Sequence, residues 1–71
     1  MKKRSVRIGG HATSVSLEDP FWRELKRMAG EADLPLAAFI ETIDARRQTA
    51  NLSSALRLAV LDDLRRRAHH T

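Results

Sequence analysis

The sequence predicts a mainly α-helical domain with one short β-strand per chain, completed as an intertwined homodimer. Three observations predict it. The chain has 71 residues and no cysteine. A monomer of that size buries only about 60% of the surface its unfolded chain exposes, and without a disulfide or thiolate metal site oligomerisation is the usual remedy. Three stretches carry apolar residues at helical spacing. One stretch alone, residues 12 to 17, carries a strong strand pattern, and its backbone N–H and C=O groups need partners. The same strand from a second chain, antiparallel about a two-fold axis, supplies them most simply.

The elements follow in chain order. Residues 1 to 10 read as a basic flexible arm. Lys2, Lys3, Arg4 and Arg7 stand there without an acid, and Gly9-Gly10 stops any short strand from Arg4 to Ile8. Ala12 to Leu17 alternates. Thr13, Val15 and Leu17 share one face, and Ala12, Ser14 and Ser16 the other. Asp19 is placed to cap a first helix with Pro20 at its first position. Phe21, Leu25, Met28 and Ala32 form its stripe, widened by Trp22 and Ala29. Asp33-Leu34-Pro35 breaks the helix, since proline disfavours helix in the residue before it. A second helix runs from about Leu36 to Arg47 on Leu36, Phe39, Ile40 and Ile43. A third starts near Asn51 or Ser53, either able to cap it. Its apolar side is Leu52, Leu56, Val60 and Leu64, broadened by Leu58, Ala59 and Leu61, and it ends in the basic run Arg65, Arg66 and Arg67.

Charge points to a partner. The formal net charge is +4, and a basic arm on a mixed-charge body suits a polyanion, above all nucleic acid. The plainer reading is a solubilising tail. No apolar run approaches the roughly 20 residues needed to cross a bilayer, and no secretory signal follows the basic start. A cytoplasmic protein without membrane contact is expected.

No catalytic constellation stands out. His11, His69 and His70 have no partner at hydrolase or zinc-protease spacing, and Gly9-Gly10 lacks the spacing and the following Lys-Ser/Thr of a phosphate loop. Glu41 and Asp44 share a helix face, as on any ordinary helix surface. The expectation is a non-enzyme with no cofactor and no specific metal.

At this point the order of elements resembles the ribbon-helix-helix family, the Arc and MetJ type of β-ribbon reader. The likeness is carried by Thr-Ser-Val-Ser-Leu at 13 to 17, Glu-Asp-Pro-Phe-Trp at 18 to 22, the helix to about Ala32, the short turn, and Ala-Ala-Phe-Ile at 37 to 40. The segment RSVRIGGHATSVSLEDPFW with the later NLSSALRLAVL looks like a bacterial subgroup of small ribbon-helix-helix proteins with an extra carboxy-terminal helix. The chain then divides into a basic flexible arm (1 to 10), a ribbon-helix-helix core (11 to 48), and an additional helix with a basic tail (49 to 71).

The resemblance implies that two strands from two chains form one antiparallel ribbon in the major groove. The outward positions Ala12, Ser14 and Ser16 would read bases. This face departs from relatives that carry a long polar or basic side chain there. Serine discriminates weakly, and Ala12 offers a methyl to a thymine methyl. The bland alternative for Ser14 and Ser16 is a solvated strand face. Lys2, Lys3, Arg4 and Arg7 would contact phosphates. His11 is either another phosphate contact or a surface turn residue. The family holds a further phosphate on the amides that open its second helix, here Leu36 and Ala37 after Pro35, where relatives often carry a capping hydroxyl. Val15, Leu17, Phe21, Leu25, Met28, Phe39, Ile40 and Ile43 would form the shared dimer core. Trp22 is read as core or interface rather than a binding aromatic.

The function implied is a sequence-specific transcriptional regulator, a repressor binding double-stranded DNA as a homodimer or a higher-order array. Two alternatives stand beside it. One is an antitoxin-like module that binds a toxin or other protein through the third helix. The other is a nonspecific DNA-coating protein.

Overall fold

The computed structural model describes residues 1–47 and 50–69. The element order is β1 (Lys2–Ile8), β2 (His11–Leu17), α1 (Asp19–Glu31), α2 (Leu36–Arg46) and α3 (Leu52–Ala68). The mainly helical architecture with a third helix is present, with two strands in the chain where one was expected. The boundary expected between residues 48 and 49 lies outside the described residues, as do His70 and Thr71.

The amino-terminal segment overturns one expectation. Residues 2–8 are a strand of a hairpin rather than a flexible arm, and β1 pairs antiparallel with β2 of the same chain. The partner that Ala12 to Leu17 needs is therefore intramolecular, where a second chain's strand was expected. Gly9 and Gly10 are the reason. Both have positive φ, 58° and 83°, the requirement of the tight two-residue turn that matches strand twist. The glycine pair expected to stop a strand is the turn that joins two. The pairing runs from Ile8↔His11 at the turn to Lys2↔Leu17 at the open end. On the hairpin's inner face β1 contributes Arg4, Val6 and Ile8, all half-buried, while β2 contributes half-buried Thr13 and buried Val15 and Leu17.

The helices cover that inner face. The N-cap of α1 is Glu18, one residue before the expected Asp19. The Glu18 carbonyl closes the first turn by accepting from the Phe21 and Trp22 N–H groups at 3.0 and 3.2 Å. Asp19 instead sits in the first turn, where a carboxylate faces the positive end of the helix dipole. The helix ends in a Schellman arrangement: Leu34 N–H donates to Ala29 C=O at 2.9 Å and Asp33 N–H to Gly30 C=O at 3.1 Å. Asp33 takes φ 59° there, the position glycine most often fills. Asn51 caps α3, its side-chain oxygen accepting from Ser54 N–H at 3.1 Å.

The core lies inside one chain. Val15, Leu17, Leu25 and Ile40 are fully buried, with Trp22, Met28 and Ile43 close behind. Phe21 and Phe39 pack against this cluster half-buried. These are the residues expected to meet across two chains. Here α3 closes the cluster with Leu52, Ala55, Leu56 and Val60. The third helix thus provides the wall that a small hairpin and two helices lack.

Candidate functional site

The hairpin's outer face has a simple make-up. Strand alternation puts Lys3, Ser5 and Arg7 on the face opposite the core, and the register sets them across from Ser16, Ser14 and Ala12. All are exposed except Ser16, which is half-buried. Ala12, Ser14 and Ser16 thus occupy the outward parity expected of them. The long cationic side chains missing from that strand stand on its neighbour. Four of the six positions carry very small side chains, so Lys3 and Arg7 rise above a flat floor.

The electrostatics are lopsided. Residues 1–17 hold four basic residues and no acid, while the rest of the chain balances nine basic against nine acidic residues. The hairpin therefore accounts for the whole formal excess of +4. Among the described residues neither Lys3 nor Arg7 has a carboxylate partner, and the side-chain bond found for Arg7 is a long one, 3.4 Å from Nη1 to Gly10 C=O.

The remaining basic residues of β1 are used differently. Arg4 lies on the inner side, half-buried, with its guanidinium carbon 5.4 Å from the centroid of the Trp22 ring. That is cation–π range, and it points Arg4 toward the body. Lys2 is exposed at the open end, where its carbonyl accepts from Trp22 Nε1 at 3.0 Å. Trp22 is buried in the core, and its polar edge anchors the first strand. His11 is exposed at the start of β2, across from Ile8.

Three further side chains, Ser53, Arg57 and Glu41, hold the hairpin on the helices. Ser16 N–H donates to Ser53 Oγ at 3.3 Å. Arg57 donates from Nε to Glu18 at 3.1 Å and from Nη2 to the Ser16 carbonyl at 3.4 Å. Gly9 N–H donates to Glu41 Oε2 at 3.2 Å, fixing the turn above α2. Hydrogen bonds from backbone N–H, then the Arg57 guanidinium, hold the Glu18 carboxyl below its ordinary pKa. Sequence reasoning missed Ser53, Arg57 and Glu41 in these roles. The Asn51-Leu52-Ser53-Ser54 run signalled a cap, and nothing local signalled that Ser53 and Arg57, four apart on one helix face, grip a strand edge.

The expected anchor at α2 has the geometry of an uncapped helix start. Pro35 is the N-cap with no side-chain bond, and the first turn closes with Phe39 N–H on Pro35 C=O at 3.0 Å. The Leu36 and Ala37 amides precede that bond. Ala37 is exposed and Leu36 half-buried. Among the described residues no group of three metal-ligating side chains is present, and no helix is long and apolar enough to cross a membrane. His70, part of the tail histidine pair, lies outside the described residues.

The outer face offers donor-only cations, hydroxyls and methyls. Chemically such a face can donate to an anion with structured acceptors. A two-stranded ribbon is also one of the two elements that the DNA major groove admits.

Comparison with known families bears on the fold. The family model described as the ribbon-helix-helix domain matches residues 1–64, which takes in the hairpin, α1, α2 and most of α3. No match was found among curated proteins or among solved structures.

Proposed function

Given that the chain belongs to the ribbon-helix-helix family, whose members are generally DNA-binding regulators that usually form dimers, we propose that it is a sequence-specific transcriptional regulator, a repressor that occludes its site by laying the hairpin's outer face in the major groove. The observation that carries this reading is the outer face itself. It sets two of the hairpin's four basic residues, Lys3 and Arg7, neither with an acid partner among the described residues, on a ribbon face otherwise floored by Ser5, Ala12, Ser14 and Ser16. Such a floor lets the backbone approach the base edges closely, and the cations supply the counterion-release component of affinity. As a homodimer the protein would present two such ribbons, matching a two-fold or tandem site.

The test is selection of bound fragments from genomic DNA at physiological salt with excess competitor, followed by amide chemical-shift mapping on a selected duplex. Enrichment of a few related sites, with the largest shifts at Lys3, Ser5, Arg7, Ala12 and Ser14, is the expected result. Uniform recovery of all fragments would replace this reading with nonspecific DNA coating. Shifts confined to α3 would remove the hairpin from the interface.

One observation favours a second reading. Leu58, Leu61 and Leu64 of α3 are exposed at 54%, 43% and 43%, Leu64 one turn beyond buried Val60 on its stripe and Leu58 and Leu61 off that stripe by helical spacing. A helix apolar on both sides suits contact with another protein, as in an antitoxin-like module. If α3 binds a partner, Leu61→Lys abolishes that binding and leaves DNA binding intact. Equal partner binding by the variant would discard the reading.

A further inference from the structure

We propose that Arg7 and Lys3 are the base-reading residues, and that each hairpin recognises two guanines about four base-pair steps apart. This rests on the DNA-binding reading above and deepens it. A groove-bound ribbon turns one face to the groove floor, while groups at its edges and ends meet the phosphate walls. Lys3 and Arg7 stand on the open face, opposite the core, each one pair in from an end of the ribbon. Lys2 and His11 stand at the two ends of the ribbon, where phosphates run. Arg4, over the Trp22 ring, is turned away from the groove.

The identity of the base follows from donor and acceptor counting. Arginine and lysine are donors only. In the major groove guanine alone presents two adjacent acceptors, N7 and O6. Adenine pairs its acceptor with a donor, cytosine presents a donor, and thymine one acceptor beside a methyl. A donor-only side chain free of carboxylates therefore prefers guanine. Most other arginines of the described body are spent on acids: Arg27, Arg47, Arg57, Arg66 and Arg67 each form an ion pair. Arg7 has no acid partner among the described residues and spends its guanidinium only on the long Nη1 bond to Gly10 C=O, which a ligand can displace. The surrounding small residues leave both side chains room to descend. Ala12, across the ribbon from Arg7, offers a methyl where thymine's would fit.

Spacing follows from strand geometry. Lys3 and Arg7 are four residues apart on the same face. At about 3.3–3.4 Å per residue that is roughly 13 Å, or about four base-pair steps at about 3.4 Å each.

The experiment selects duplexes from a random-sequence pool with the full chain at physiological salt. It then replaces each guanine of the selected site by 7-deazaguanine, which lacks the N7 acceptor. Two guanines at three to five base-pair spacing are expected, each weakening binding about tenfold or more when replaced. Arg7→Gln should lose the response at one of them and Lys3→Gln at the other, with unchanged thermal midpoints. The wild-type measurement stands even if a variant fails to fold. A selected site whose guanines tolerate 7-deaza replacement overturns the proposal and leaves the DNA-binding reading in place. So does a loss in the variants that is uniform across sequences and lowers the log–log salt slope by about one, the signature of a phosphate contact. Absence of any selected sequence overturns the base-reading proposal and the specific-regulator reading together.

Discussion

The hairpin and the α1–α3 face are both rich in basic residues, and they use them in opposite ways. On the α1–α3 face Arg27 donates to Glu24 at 2.9 Å, Glu31 at 3.1 Å and Asp63 at 2.6 Å. Arg67 donates to the same Asp63 at 3.1 Å and meets Glu31 from across the helix pair. Two guanidinium groups and three carboxylates there lock one helix to another. On the hairpin Lys3 and Arg7 have no such partner among the described residues. A count of basic residues does not distinguish these regions; the placement of acids does. Charge that is already paired joins helices, and charge left unpaired on an open face is available to a ligand.

The two regions share one core and differ at their surfaces. Leu56 is fully buried in α3 within the cluster that includes Val15 and Leu17 of β2. Leu56→Ala should cost about 2–5 kcal/mol, a large part of the stability of so small a domain. Trp22 fluorescence reports the hairpin through the indole bond to Lys2, and far-ultraviolet circular dichroism reports the helices. Both should shift together. Separate transitions would mean that the hairpin is an independent unit resting on the helices.

The hairpin turn can be disturbed with the ion-paired face left alone. No heavy atom lies within 4 Å of a Cβ added at Gly9 or Gly10, so a side chain meets only the backbone penalty of positive φ. Gly10→Val should cost about 1–2 kcal/mol or more and weaken DNA binding beyond that loss of stability, because the register of Lys3, Ser5 and Arg7 depends on the turn. Gly9→Asn should cost much less, since asparagine tolerates the left-handed region. Equal effects of the two substitutions in denaturant titrations would show that turn conformation does not set the hairpin. Between the two regions, Asp33→Gly should raise stability by up to about 1 kcal/mol by relieving φ 59° at the end of α1. DNA affinity should stay the same.

The sequence made the helices legible and half of the ribbon. Apolar spacing located α1, α2 and α3 to within a residue or two, and strand alternation put Ser14 outward and Val15 inward. Long periodic segments declare themselves because one face must be buried. The first strand did not, because its alternation is carried by arginine and lysine. Arg4, Val6 and Ile8 do alternate with Lys3, Ser5 and Arg7, but Arg4 sits inward through its contact with the Trp22 ring, which only tertiary structure creates. Gly9-Gly10 serves either as a stop or as a turn, and the choice depends on whether a second strand is present. The site was legible in composition and not in arrangement: the basic residues of β1 and the small face of β2 are both visible in the sequence, yet their union on one surface requires the hairpin register. The clamps Ser53 and Arg57 lie 37 and 41 residues from their Ser16 partner, beyond any local pattern.

The smallest expected effect concerns the ion-paired face in acid. Asp63 lies below its ordinary pKa because Arg27 and then Arg67 donate to its carboxylate, outweighing the upward push of burial. Glu18 is lowered by backbone N–H and Arg57. For both groups the folded pKa is below the unfolded one, so their contribution to stability is complete above about pH 4.5 and is lost as pH falls through the folded values. Thermal midpoints should thus be flat from pH 7 to about 4.5 and then decline. Asp63→Asn should lower the neutral-pH midpoint slightly and reduce the steepness of that decline, because one of the titrating groups is gone. Exposed ion pairs contribute little singly, so the change in steepness is the more telling readout. A decline of equal steepness in wild type and variant would show that the Arg27–Asp63–Arg67 cluster does not hold α3 in place. The contrast between paired and unpaired charge would then rest on the hairpin alone.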